Sequence, residues 1–142
     1  MITVSIIGFG KMGQIRASAI EKVALAKIKN VFDPNVADLK SQYPVAKSYA
    51  EILDDSEIEA VFLCLANYLN KEYAIRALEA GKHVFCEKPP AFNASEVEEI
   101  IAAEKKSGKK LMYGFNHRQH GAVIRMKQEI DSGTLGKVLW MR

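Results

Sequence analysis

Gly8-Phe9-Gly10-Lys11-Met12-Gly13 stands between an apolar run, Ile2 to Ile7, and a segment whose apolar residues recur at helical spacing. A strand that reverses into a helix within a few residues, leaving its backbone N–H groups bare, needs glycine wherever a β-carbon would block the turn or an approaching group. Gly8 and Gly10 fill those positions. Gly13 lets the helix lie close against the strand. The helix N-terminus adds unpaired donors and a partial positive charge, so the turn reads as a cradle for a bridging pyrophosphate. A Gly-x-Gly-x-x-Gly string alone is a weak signal. Its context strengthens it: strand before, helix after, and an acid, Asp33, closing the next apolar run twenty residues beyond Gly13.

Composition fits that reading. At 142 residues and 49% hydrophobic, the chain suits a single globular domain with a real core. The net charge of +3 comes from basic residues interleaved with acids, which indicates neither a nucleic-acid track nor a membrane-surface helix. The densest basic cluster, Lys105-Lys106-Ser107-Gly108-Lys109-Lys110, falls at a helix end, where cations complement the dipole. No apolar run reaches spanning length and Met1 leads straight into a strand, so a cytoplasmic protein is expected. Cys64 and Cys86 lie in separate strand-like runs without metal-ligand spacing and read as buried thiols; no metal site is expected.

Apolar runs and helical patterns then alternate along the chain, the signature of an α/β fold: a Rossmann-like, doubly wound, mainly parallel sheet with helices on both faces. Met12, Ile15, Ala19 and Val23 fall on one stripe of the first helix, and Leu25 to Phe32 reads as the second strand. Pro34 opens a short helix to about Ser41, closed by Pro44. Val45-Ala46 reads as a short strand, Tyr49 to Leu53 as a helical turn, and Ala60 to Leu65 as a central buried strand. A helix from Tyr68 to Ala80 stops at Gly81, and His83 to Cys86 makes another strand, halted by Pro89 and Pro90. Glu87 and Lys88 are thereby left at the carboxyl edge, where open α/β sheets bind ligands. Asn93 caps the next helix, with Glu96 reaching back and Val97, Ile100 and Ile101 forming its apolar stripe. Leu111 to Phe115 delivers Asn116, His117 and Arg118 to the same edge; a last helix, about Ala122 to Asp131, turns Val123, Met126 and Ile130 inward.

The fingerprint, Asp33-Pro34-Asn35, Ala80-Gly81-Lys82-His83-Val84, Glu87-Lys88-Pro89 and Gly114-Phe115-Asn116-His117-Arg118, in this order and spacing, resembles the nucleotide-binding half of the Gfo/Idh/MocA oxidoreductases. The resemblance covers nearly the whole chain. It implies an NAD(P)-dependent enzyme acting on a sugar, sugar derivative or polyol, with Gly8, Phe9, Gly10, Lys11, Met12 and Gly13 around the pyrophosphate and Asp33 on the adenosine ribose. A carboxylate accepts from ribose hydroxyls but repels a 2′-phosphate, so NAD is expected over NADP. By the same resemblance Glu87 lies by the nicotinamide ribose, Asn67, Asn116 and Arg118 match polar positions on the nicotinamide side, and Lys88 is the catalytic residue that reaches the substrate hydroxyl or carbonyl. Leu65-Ala66-Asn67 followed by Asn70 departs from the family's Thr-Pro-Asn with a histidine three residues on, and Gln119 and Gly121 replace an aromatic and a proline. His83 sits at the wrong edge for chemistry; His117 and His120 lack an acid partner and read as solvated or capping groups.

The resemblance also sets the domain reading. Residues 1–136 are the NAD-binding domain, and 137–142, whose Lys137 to Arg142 reads as a strand, are the stub of a C-terminal substrate domain that in the family carries the proton-transfer histidine. Val138-Leu139-Trp140-Met141 would expose an apolar edge unless disordered, packed on another copy, or the cut end of a longer protein. The 142-residue chain alone is then expected to be inactive, and the full-length form a homo-oligomer. Two alternatives stay open: a non-catalytic dinucleotide-binding module or partner subunit, which would keep the glycines and Asp33 but need no Lys88, and a methyltransferase-like nucleotide binder, separable by its preference for S-adenosylmethionine.

Overall fold

The run Ile2–Ile7 forms strand β1, and the fingerprint turns it into helix α1, Lys11–Val23. A computed structural model describes residues 1–36 and 38–140. The remaining elements follow in order: β2 (Ala26–Phe32), α2 (Tyr49–Asp54), β3 (Ala60–Leu63), α3 (Asn67–Glu79), β4 (His83–Cys86), α4 (Ala94–Ser107), β5 (Leu111–Tyr113) and α5 (Gly121–Asp131). The strands make one parallel sheet in the order β2-β1-β3-β4-β5. The chain runs outward from β1 to β2, then returns to the other side of β1 with β3. That reversal leaves a crevice beyond the carboxyl ends of β1 and β3, where such sheets take their ligands.

Strand alternation sorts the core into two layers. Ile7, Val61, Leu63, Val84 and Cys86 point to one face, covered by Ile52 of α2, Ala74, Ala77 and Leu78 of α3, and Ala103 of α4. Val4, Ile6 and Val31 point to the other, against Ala17 and Ile20 of α1. Helix ends follow local chemistry. Asn93 Oδ1 accepts from Glu96 N–H while Glu96 Oε2 accepts from Phe92 N–H, one residue before the cap, and Ser48 caps α2 in the same manner.

Several expectations are corrected. In α1 the buried residues are Gly13, Ala17 and Ile20, whereas Met12, Ile15, Ala19 and Val23 face outward. The cause is Gly13: a β-carbon on it would lie 2.2 Å from Gly8 O, so this position must meet the strand. Helical geometry then turns positions four and seven residues later to the same side. The helix expected after Pro34 is not formed among the described residues. Asp33 Oδ1 accepts from Asn35 N–H at 2.9 Å and Ser41 Oγ from Tyr43 N–H at 3.0 Å, side-chain turns that compete with helical bonding.

Val45 makes a single parallel bridge to Val31, on the outer side of β2, rather than a strand. The Ala60 strand ends at Leu63 and the Leu111 strand at Tyr113. In α5 no residue is buried; Val123 and Ile130 are half-buried and Met126 exposed, because the helix lies against a neighbouring 3₁₀ turn (Asn116–Gln119) rather than the sheet. No strand forms from Lys137 through Trp140; Leu139 and Trp140 are exposed, and Met141 and Arg142 lie outside the described residues. No helix among the described residues is long and apolar enough to cross a membrane.

Candidate functional site

The glycine turn sits in the crevice. Gly8 has φ of +86°, donates its N–H to Phe32 O at 2.7 Å, and runs so close to the segment after β3 that a β-carbon would lie 2.4 Å from Cys64 O. Gly8 and Gly13 are thus demanded by the fold. Gly10 is different: it has extended backbone, and a β-carbon there would meet nothing within 4 Å. It is also the cap residue of α1, with no side chain to satisfy the helix's first N–H groups and no acid in the first turn. Those donors are left facing the crevice, which suits an anion.

Asp33 closes one end of this crevice. Its Oδ2 accepts from Phe9 N–H at 2.9 Å while Oδ1 accepts from Asn35 N–H at 2.9 Å, so the carboxylate is fixed against the turn at the tip of β2. Phe32, Asp33, Pro34, Asn35 and Lys47 line a hollow of about 590 Å³ there.

The other end is built by β4 and β5. Glu87, buried at the end of β4, accepts from Arg16 of α1, whose Nε lies 2.7 Å from Glu87 Oε1. Arg16 Nη2 also reaches Glu87 Oε1 and donates to Asn116 Oδ1 at 3.2 Å, and its guanidinium lies 4.8 Å from the centre of the Phe85 ring. Lys88 is exposed and lines a 370 Å³ hollow with Gly114, Asn116, His117 and Arg118. Asn67 starts α3 and lines a separate 420 Å³ hollow with Tyr68, Lys71 and Phe92. His83 Nδ1 accepts from Lys110 N–H at the far edge of the sheet, a structural place.

Two residues gain roles that the sequence alone did not give them. Asn70 is fully buried, and its Nδ2 donates to Glu87 O at 3.2 Å and Pro89 O at 2.9 Å, straddling Lys88. As a sequence feature it stands out only by replacing a histidine. Arg16 lies three residues past the last fingerprint glycine, on the turn of α1 that looks toward β4, but nothing in the sequence names its partner. Burial pushes the Cys64 and Cys86 thiols up to about 12, so neither is a ready nucleophile near neutral pH.

A parallel sheet in this order, with a bare glycine turn at the switch point and an acid ending the neighbouring strand, defines a dinucleotide-binding domain of the Rossmann type. The family model GFO_IDH_MocA, an oxidoreductase family with an NAD-binding Rossmann fold, matches residues 2–115, and the chain belongs to that family. Among its relatives, the myo-inositol 2-dehydrogenase of Thermotoga maritima is 32% identical over 140 residues, covering 94% of this chain and 42% of that protein. The crystal structure of a probable dehydrogenase from Thermotoga maritima superposes with a TM-score of 0.87 at 29% identity, over 96% of this chain and 43% of that one. The WlbA dehydrogenase from Chromobacterium violaceum, crystallised with NADH and UDP-GlcNAcA, gives a TM-score of 0.87 at 26% identity, over 95% of this chain and 41% of that one. The chain therefore spans about two fifths of the length of the relatives it matches.

Proposed function

We propose that this chain is the cofactor domain of an NAD-dependent oxidoreductase that oxidises a hydroxyl of a sugar, sugar derivative or polyol. Gly10 is the observation that carries the reading. The fold leaves room for a β-carbon there, so the demand for glycine comes from a group that packs against the turn from outside. The residues present fit a dinucleotide. Gly8 to Gly13 and the open N–H groups of α1 would hold the pyrophosphate, Asp33 the adenosine ribose, and Glu87, Asn116 and Arg118 the nicotinamide side; Asn67 would join them from the start of α3. The carboxylate of Asp33 repels a 2′-phosphate, which favours NAD over NADP.

When bound, the cofactor supplies the hydride acceptor. Lys88, at the mouth of its hollow, places an ammonium where a substrate hydroxyl loses its proton, stabilising the negative charge that develops on oxygen. Residues 1–136 form the cofactor domain and 137–142 begin a substrate domain, which supplies the remaining proton-transfer group. The polyol substrate class is supported by the myo-inositol 2-dehydrogenase relative, and we extend the proposal to a homo-oligomeric complete protein.

Gly10→Ala tests the cofactor reading. The variant should keep the parent's thermal midpoint while NAD affinity, read by titration calorimetry, falls at least about tenfold, and NADP should bind the parent chain more weakly than NAD. Unchanged NAD affinity in Gly10→Ala would sink the proposal.

A further inference from the structure

We propose that Arg16 is a positioning residue that sets the nicotinamide side of the site from the same helix whose N-terminus faces the pyrophosphate. This inference rests on the dinucleotide reading above and assigns a role to a residue outside the fingerprint.

The geometry points there from three sides. Both Arg16 contacts to Glu87 fall on Oε1, and among the described residues Oε2 makes no hydrogen bond. One carboxylate oxygen is therefore tied down and the other is left as an acceptor. The same guanidinium holds Asn116 Oδ1, so one side chain of α1 fixes polar groups delivered by both β4 and β5. Space has been kept for this arrangement: a β-carbon on Gly114 would lie 2.9 Å from Glu87 Oε2 and 3.3 Å from Arg16 Nη2. The Phe85 ring beneath the guanidinium restricts its plane.

A buried ion pair is weak evidence for stability, because desolvation offsets much of its attraction. Here the pair joins elements that would serve opposite ends of one ligand, so its consequence is geometric. Lysine would not replace it, since a single ammonium lacks the fork that spans Glu87 and Asn116 at once.

The test compares NAD with ADP, which shares the adenosine and pyrophosphate but lacks the nicotinamide riboside. Arg16→Met should weaken NAD binding by about tenfold or more while ADP affinity stays within about twofold, with Arg16→Lys restoring little of the loss. Should Arg16→Met fold poorly, Arg16→Gln keeps an uncharged donor for the buried Glu87 carboxylate but lacks the fork; the same split between NAD and ADP is expected. Equal weakening of both ligands, or no change in either, would overturn the inference. A parent chain that bound neither ADP nor NAD would overturn the dinucleotide reading as well, and an intact ADP response separates the two failures.

Discussion

Asn70→Leu isolates the hydrogen bonds that hold the segment carrying Lys88, because leucine keeps nearly the same volume and loses both donors. Asn70 Nδ2 donates to the carbonyls of Glu87 and Pro89, and the side chain is fully buried. A buried carbonyl left without a partner costs about 1–3 kcal/mol. Two are orphaned, but Glu87 O keeps the Cys86 thiol at 3.3 Å, and the Asn70 Oδ1, which has no partner among the described residues, disappears with the amide. The net loss should be roughly 2 kcal/mol, and for a chain of this size that lowers the thermal midpoint by about 6–8 °C. Asn70→Asp should cost more, since it keeps the shape but turns a donor into an acceptor facing two carbonyls. Calorimetric or denaturant unfolding of the parent and both variants reads the ranking Asn, Leu, Asp. A loss below about 0.5 kcal/mol for Asn70→Leu, within the scatter of neutral changes, or an Asp variant as stable as the parent, would refute the role assigned to the amide.

Lys88→Met should leave the thermal midpoint unchanged, because the side chain is exposed, and should abolish turnover in a protein carrying the substrate domain while NAD affinity stays near normal; preserved turnover would reject Lys88 as the catalytic group. Burial raises the Cys64 and Cys86 thiols from 9.0 to about 12, so the native state favours their protonated forms. That stabilisation is full below the unfolded value near 9.0 and is lost as pH rises through about 12, so unfolding free energy measured between those limits should fall with pH, and both thiols should resist alkylation until the chain unfolds. Native thiols that alkylate as fast as unfolded ones at pH 8 would contradict the burial.

Much of the fold was legible because its signals are local. Glycine stops α4 at Gly108 in a left-handed conformation, Asn93 caps the same helix, and paired prolines end the segment after β4; each acts through its own backbone and neighbours. The buried stripe of α1 differs from the most apolar series for a physical reason. Met12, Ile15, Ala19 and Val23 are the more apolar series, yet the close approach of Gly13 to Gly8 O sets the rotation of the helix, and apolarity follows it. The sequence already held that constraint in Gly13. The loop after Asp33 was harder, since Pro34 suits a helix start and an Asx turn alike, and the carboxylate's choice of Asn35 N–H decides between them. The contacts of Arg16 and Asn70 were not legible because their partners lie 71 and 100 positions away for Arg16 and 17–19 for Asn70, and only folding brings them together.

The three fingerprint glycines do not answer to one cause. Gly8 and Gly13 face protein atoms at distances no β-carbon can occupy, so their replacement disturbs the turn itself. Gly10 faces open space, and its replacement disturbs only what arrives there. Selection for folding alone would keep the first two and release the third. A sequence that carries all three, with Arg16 on the same helix reaching to Glu87 and Asn116, is what the proposed dinucleotide, running from the turn toward Lys88, would require.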